Sequence, residues 1–163
     1  MDAAAGTGNA APQEGYAPDY RRIVLAYDGS EGAQLALDRA ARVAMRGAAL
    51  TILHVALPLY RHTINALADP SAIAEGERLL GEARRRLAER GISAETAVRV
   101  GEAGDELVAA ARELGADLLV VGAGKGTLER LVLGSVSTHA VHHAPCDVLV
   151  ARSSRREREE PPQ

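Results

Sequence analysis

The sequence has no phenylalanine and no tryptophan, and only one cysteine and one lysine among its 163 residues. A core must then be filled by Ala, Leu and Val, and gripping single-stranded nucleic acid by stacking bases on aromatic rings is argued against. Cys146 can form no internal disulfide and no cysteine-based zinc cage, so packing alone has to hold the fold. No apolar run approaches the roughly 18–20 residues that span a bilayer. The first residues show neither the basic n-region nor the apolar h-region of a secretion signal, so the expected location is cytoplasmic. An excess of charge of one sign is missing too. The chain carries 19 Lys and Arg against 22 Asp and Glu, a net −3, and within residues 21–152 the balance is 16 against 16. Nucleic-acid binders need a basic footprint and binders of anionic membranes a polybasic patch, so neither partner is expected.

The length suits one domain with one core. Residues 1–20, rich in Ala, Gly and Pro, and residues 153–163, nearly all polar, read as disordered tails around a domain at 21–152. Within it, apolar runs at 23–27, 50–55, 118–121 and 147–150 and a more alternating, edge-like run at 94–100 predict five strands. Between them lie helical stretches. Ser30 caps the first, whose Ala33, Leu37, Ala40 and Ala44 share a face. The second covers 71–90, after a loop with Pro58 and Pro70, and aligns Ile73, Leu80, Ala83 and Leu87. The third covers 105–114 with Leu107, Ala111 and Leu114 in register, and the fourth 128–143. Strands alternating with helices predict an α/β, doubly wound, five-stranded parallel sheet of Rossmann-like or flavodoxin-like kind. With strand order 3-2-1-4-5, ligands belong beyond the carboxyl ends of strands one and four.

Two unusual loops fall there. Tyr27-Asp28-Gly29-Ser30 follows strand one, and Gly122-Ala123-Gly124-Lys125-Gly126-Thr127 follows strand four. Three glycines in five positions let backbone N–H groups turn towards an anion, and a following helix N-terminus favours phosphate. Lys125, the only lysine, stands inside this loop. The plainer alternative is a tight strand-to-helix turn with a solvated lysine. The Walker pattern fails because position 119 is Leu and Gly126 stands where Ser or Thr should meet Mg²⁺. A phosphotransferase built on the loop is therefore the least favoured reading. The dinucleotide pattern G-x-G-x-x-G fails at Thr127.

The stretch from Gly124 through Gly134-Ser135 to His143-Ala144-Pro145-Cys146-Asp147-Val148-Leu149-Val150 closely resembles the universal stress protein family. Its nucleotide-binding members carry G-x2-G-x9-G-(S/T) and an H-x-P-C-x-V-L-V-like final strand. The segment from Ile23 to Ser30, the Leu53-His54-Val55 run and the segment from Gly115 to Gly122 extend the resemblance over about residues 21–152. It implies a Rossmann-like fold of the adenine nucleotide alpha hydrolase-like kind and a stress-response protein that binds ATP, with Mg²⁺ arriving alongside. It also implies roles: Tyr27 and Asp28 at the adenosine, Val55 against adenine, and Gly122, Gly124, Gly134, Ser135, Val136 and Ser137 around the phosphates. Lys125 and Arg130 would offset phosphate charge. One departure stands out. The family motif has two residues between its first two glycines, whereas only Ala123 separates Gly122 from Gly124. The shortened loop either still folds round phosphate or marks a dimeric interaction protein of the same fold that binds no nucleotide.

Other groups have plainer readings. Asp28-Gly29 is also an ordinary Asx-turn dipeptide. His139 and His143 share a helix face, but no carboxylate or further histidine completes a metal site at a useful spacing. Cys146 reads as a small apolar filler, and Arg84, Arg85 and Arg86 as a solvated face. With no base–nucleophile pair at the crevice, any ATP hydrolysis is expected to be slow. The last strand, Asp147–Ala151 (Asp147, Val148, Leu149, Val150 and Ala151), lies at a sheet edge and is expected to pair two copies as a homodimer, which a proline at Leu149 should disrupt.

Overall fold

The computed structural model describes residues 19–58, 68–124 and 133–153. Along them run β1 (Arg22–Ala26), α1 (Glu31–Ala44), β2 (Ala49–Ala56), α2 (Pro70–Ala88), β3 (Ala94–Val100), α3 (Ala103–Glu113), β4 (Leu118–Gly122), α4 (Ser135–His143) and β5 (Asp147–Ala151). The strands form one parallel sheet in the order β3-β2-β1-β4-β5. No described helix is long and apolar enough to cross a membrane.

Central position explains the strand sequences. β1 and β4 are covered on both faces, so they read as continuous apolar runs, whereas β3 at the edge alternates. Ile23, Leu25 and Ile52 pack against α1 and α2 on one face, and Val24, Leu53, Leu119 and Val121 against α3 and α4 on the other. Lacking phenylalanine and tryptophan, the core closes by approach: α1 presents buried Ala33, Ala36, Ala40, Ala41 and Ala44, whose short side chains let the helix lie close to the sheet.

Helix ends follow local chemistry. Ser30 Oγ accepts from the Ala33 N–H at 3.2 Å and caps α1 as expected. Asp69 caps α2 by accepting from the Ser71 N–H at 2.9 Å. Pro70, expected in the preceding loop, is instead the first residue of α2, where its missing N–H is no loss. At the far end Gly91 turns left-handed (φ +73°), and the Ile92 N–H returns to Leu87 O at 2.9 Å, which folds Ile92 onto the core.

Three expectations need correction. Leu114 does not join the buried face of α3: it sits at the C-cap, beyond the last helical residue, and is 41% exposed. The fourth helix, within the described residues, starts at Ser135, because Gly134 is extended (φ −65°, ψ 166°) as its N-cap. The expected helical positions 128–132, with Arg130, lie outside the described residues. Tyr20, assigned to a tail, packs against the core, and its hydroxyl donates to Asp147 Oδ2 at 3.0 Å. Beside it Asp117 accepts the N–H groups of Arg21 and Arg22 at 2.8 and 3.0 Å, fixing the entry into β1.

Candidate functional site

Strand order reverses between β1 and β4, so the loops leaving their carboxyl ends diverge and open a crevice. A cavity of about 230 Å³ lies there. Tyr27, Asp28 and Ser30 line it from the loop after β1, Leu53 and Val55 from β2, and Ala103 and Leu107 from α3. Val121, Gly122 and Gly124 come from β4 and its loop, and Gly134, Ser135, Val136 and Ser137 from the start of α4. Of the residues given roles at the nucleotide, all but Lys125 and Arg130 therefore meet at one place, and Arg130, like Lys125, lies outside the described residues.

The side chains divide the work. Asp28 Oδ1 accepts from the Ser30 N–H at 3.0 Å, so the Asx-turn is real, yet the exposed carboxylate also borders the cavity. Among the described lining residues it is the one formal charge. Against it stand three helix N-termini, those of α1, α3 and α4, each contributing partial positive charge. α4 has no side-chain cap. Its first-turn N–H groups, those of Ser135, Val136 and Ser137, have no partner inside the helix and form a ready anion cradle. Ser137 is buried, and its hydroxyl donates to Gly134 O at 3.0 Å, so it offers its backbone rather than its side chain.

The glycines are needed for a reason the sequence did not display. A Cβ on Gly122 would come within 2.6 Å of the Gly32 carbonyl carbon, and one on Gly124 within 2.9 Å of Gly134 Cα. Backbone thus meets backbone where α1 crosses the end of β4 and where the two ends of the glycine loop touch. The same contact commits one amide: the Gly134 N–H donates to Ala123 O at 2.8 Å. Ser30 was foreseen as a cap but not as lining. Ala103 and Leu107 of α3 gave no local signal, since only the tertiary fold brings that helix over the crevice.

The remaining candidates take structural places. His139 Nε2 lies 3.1 Å from Asp105 Oδ1, a carboxylate contributed by α3 that sequence spacing could not reveal. The ring of His139 stacks on that of His143 with centroids 4.3 Å apart. Cys146 packs at the margin of the core, where burial, followed by the nearby Asp147 and Asp117, pushes its thiol above the ordinary value. Arg84, Arg85 and Arg86 are exposed.

These features define a doubly wound α/β domain with a glycine-flanked, anion-ready crevice at its topological switch point. The universal stress protein family model matches residues 19–152, and the chain belongs to that family. It is similar to the universal stress protein YxiE of Bacillus subtilis strain 168, at 32% identity over 148 residues, covering 82% of this chain and 99% of that protein. A solved universal stress protein in complex with cAMP matches with a TM-score of 0.68 and 31% identity, over 84% of this chain and 100% of that one. The universal stress protein of Archaeoglobus fulgidus in complex with dAMP matches with a TM-score of 0.66 and 27% identity, over 83% and 100%.

Proposed function

We propose that the protein is a stress-response regulatory module that binds ATP, accompanied by Mg²⁺, in the crevice between β1 and β4. The bound state is passed on through conformation or through association of two copies along β5, in the cytoplasm. The observation that carries this reading is convergence. Loops far apart in sequence place Asp28, Val55 and the uncapped first turn of α4 around one cavity. Adenine nucleotides in two similar structures supply the ligand class.

In this reading Asp28 receives ribose or base, Val55 borders the adenine, and the amides of Ser135, Val136 and Ser137 hold the first phosphate. Gly122, Gly124 and Gly134 shape the wall. Lys125 offsets the charge of further phosphates, and Mg²⁺ is held by those phosphates rather than by a protein cage. The cavity is smaller than the roughly 300–1,000 Å³ of sites that enclose a whole small molecule, so the outer phosphates extend past its mouth.

A specific observation favours the second reading, a dimeric interaction protein without nucleotide: the Gly134 N–H, which could have faced a phosphate, is bonded to Ala123 O. Calorimetric titration of the purified chain with ATP–Mg²⁺, ADP and cyclic AMP separates the two. Nucleotide binding predicts saturable heat with one site per chain and a loss of about tenfold or more in affinity for Asp28→Ala, the scale of one charge-assisted hydrogen bond. No heat with any adenine nucleotide, together with no nucleotide co-purifying by mass spectrometry, selects the second reading.

A further inference from the structure

The hydrogen-bond ladder between β1 and β2 stops one rung early, and a side chain bonds the carbonyl of the missing rung. The Tyr27 N–H donates to Leu53 O at 2.9 Å, so Leu53 turns its peptide groups towards β1. By the two-residue alternation of a strand, Val55 turns its N–H and C=O the same way. In a parallel pair the next rung would run from the Val55 N–H to Tyr27 O. That bond is not formed. Tyr27 O instead lies 2.9 Å from His54 Nδ1. A carbonyl oxygen can only accept, so Nδ1 carries the proton and donates it. No backbone acceptor among the described residues takes the Val55 N–H, and Val55 lines the cavity.

The position of His54 is built from the other side as well. Its ring lies against α2 where Gly76, a buried helical residue, leaves room. A Cβ on Gly76 would come within 2.5 Å of the ring's Cδ2. The missing side chain at Gly76 therefore leaves the imidazole room beside α2.

An N–H and a C=O exposed side by side on a strand edge match one kind of base edge. Adenine sets its N6 amino donor beside a ring-nitrogen acceptor, whereas a base with a 6-oxo group presents an acceptor in place of the amino group. On the reading of the crevice as an adenine-nucleotide site, we propose that His54 is a positioning residue. By occupying Tyr27 O it keeps the Val55 peptide groups open for the adenine edge, and so sets base selectivity.

Two variants of nearly equal shape separate the donor from the filler. His54→Asn retains an N–H near the Nδ1 position, and His54→Leu does not. On the full chain, amide exchange at Val55 is followed by NMR without ligand, and affinities for ATP and ITP are compared. Wild type and His54→Asn are expected to exchange the Val55 amide rapidly and to favour ATP. In His54→Leu the rung closes, slowing Val55 exchange by about tenfold or more. The ATP-to-ITP preference falls by about tenfold, the scale of one hydrogen bond. Fast exchange with undiminished selectivity in His54→Leu, or His54→Asn behaving as His54→Leu does, overturns the proposal. A wild type that binds ATP and ITP equally also overturns it while leaving nucleotide binding intact. A wild type that binds neither removes the function and, with it, the selectivity role, and the exchange measurement then shows whether His54 still governs the ladder.

Discussion

Gly32 and Gly122 touch backbone to backbone, and this contact changes what the glycine loop means. Three glycines near Lys125 suggested amides freed to face an anion. The structure shows that Gly122 and Gly124 are required by close approach, while the helix start at the crevice without a side-chain cap is that of α4. The glycine pattern pointed to the crevice for a partly different reason, since a sequence cannot show which backbone segments cross. Gly122→Ala would place its Cβ 2.6 and 2.7 Å from the carbonyl carbon and oxygen of Gly32. Overpacking of this kind costs about 1–3 kcal/mol. Its thermal midpoint should therefore fall by several degrees, at about 2–4 °C per kcal/mol for a chain of this size. Gly81, on the exposed side of α2, has open space around it, with nothing within 4 Å of the place a Cβ would take. Gly81→Ala should leave the midpoint unchanged or raise it, because alanine is the better helix former. Equal midpoints for the two variants would show that the Gly32–Gly122 approach is not tight.

Elements were legible where a local rule governs them and less so where a distant contact does. β3 matches its expected limits, Ala94–Val100, since alternation is a property of the segment itself. Ser30 capping α1 was readable for the same reason. Pro70 was misplaced because proline marks both loops and first helical turns, and the deciding partner is the Asp69 carboxylate before it. The break before Ser135 was not foreseen because Leu133 continues an apolar helical pattern, while the Gly134 N–H donates to Ala123 O from across the loop. Ser30→Ala removes the acceptor for the Ala33 N–H and should destabilise the fold by about 1 kcal/mol, read as a lower urea midpoint at unchanged m-value. Ser30→Asp, which restores a capping oxygen, should recover most of the loss. Failure to recover would mean that Ser30 acts through the cavity it lines rather than through the helix.

At the scale of the whole molecule β5 forms one of the sheet's two open edges, and the proposed pairing of two copies would fall there. The structure also corrects the expected test. Ala151 O accepts from the Ala123 N–H at 3.0 Å, so Ala151 turns its peptide groups towards β4. By alternation Leu149 does likewise, and Val148 and Val150 turn theirs to the open edge. A proline at Leu149 would therefore break the β4–β5 ladder itself. Proline at Val150 removes a donor only from the free edge, where proline is tolerated. Light scattering of the wild type should give a dimer, and Val150→Pro a monomer with unchanged far-UV circular dichroism. A Val150→Pro chain that remains dimeric would place the contact elsewhere on the molecule.

Periodicity and glycine spacing were enough to determine the α/β class and the loops that border the crevice, because each is written in the chemistry of neighbouring residues, whereas the order β3-β2-β1-β4-β5 belonged to the assumed fold and was settled by the pairing of strands. Tertiary structure alone decided which amides at the crevice stay free, that His54 reaches the carbonyl of Tyr27 where the β1–β2 ladder ends, that α3 supplies part of the wall, and which residues of β5 face outward. Those outcomes depend on which backbone groups meet across the sheet and its loops, and hydrogen bonds between segments far apart in sequence leave no local signature.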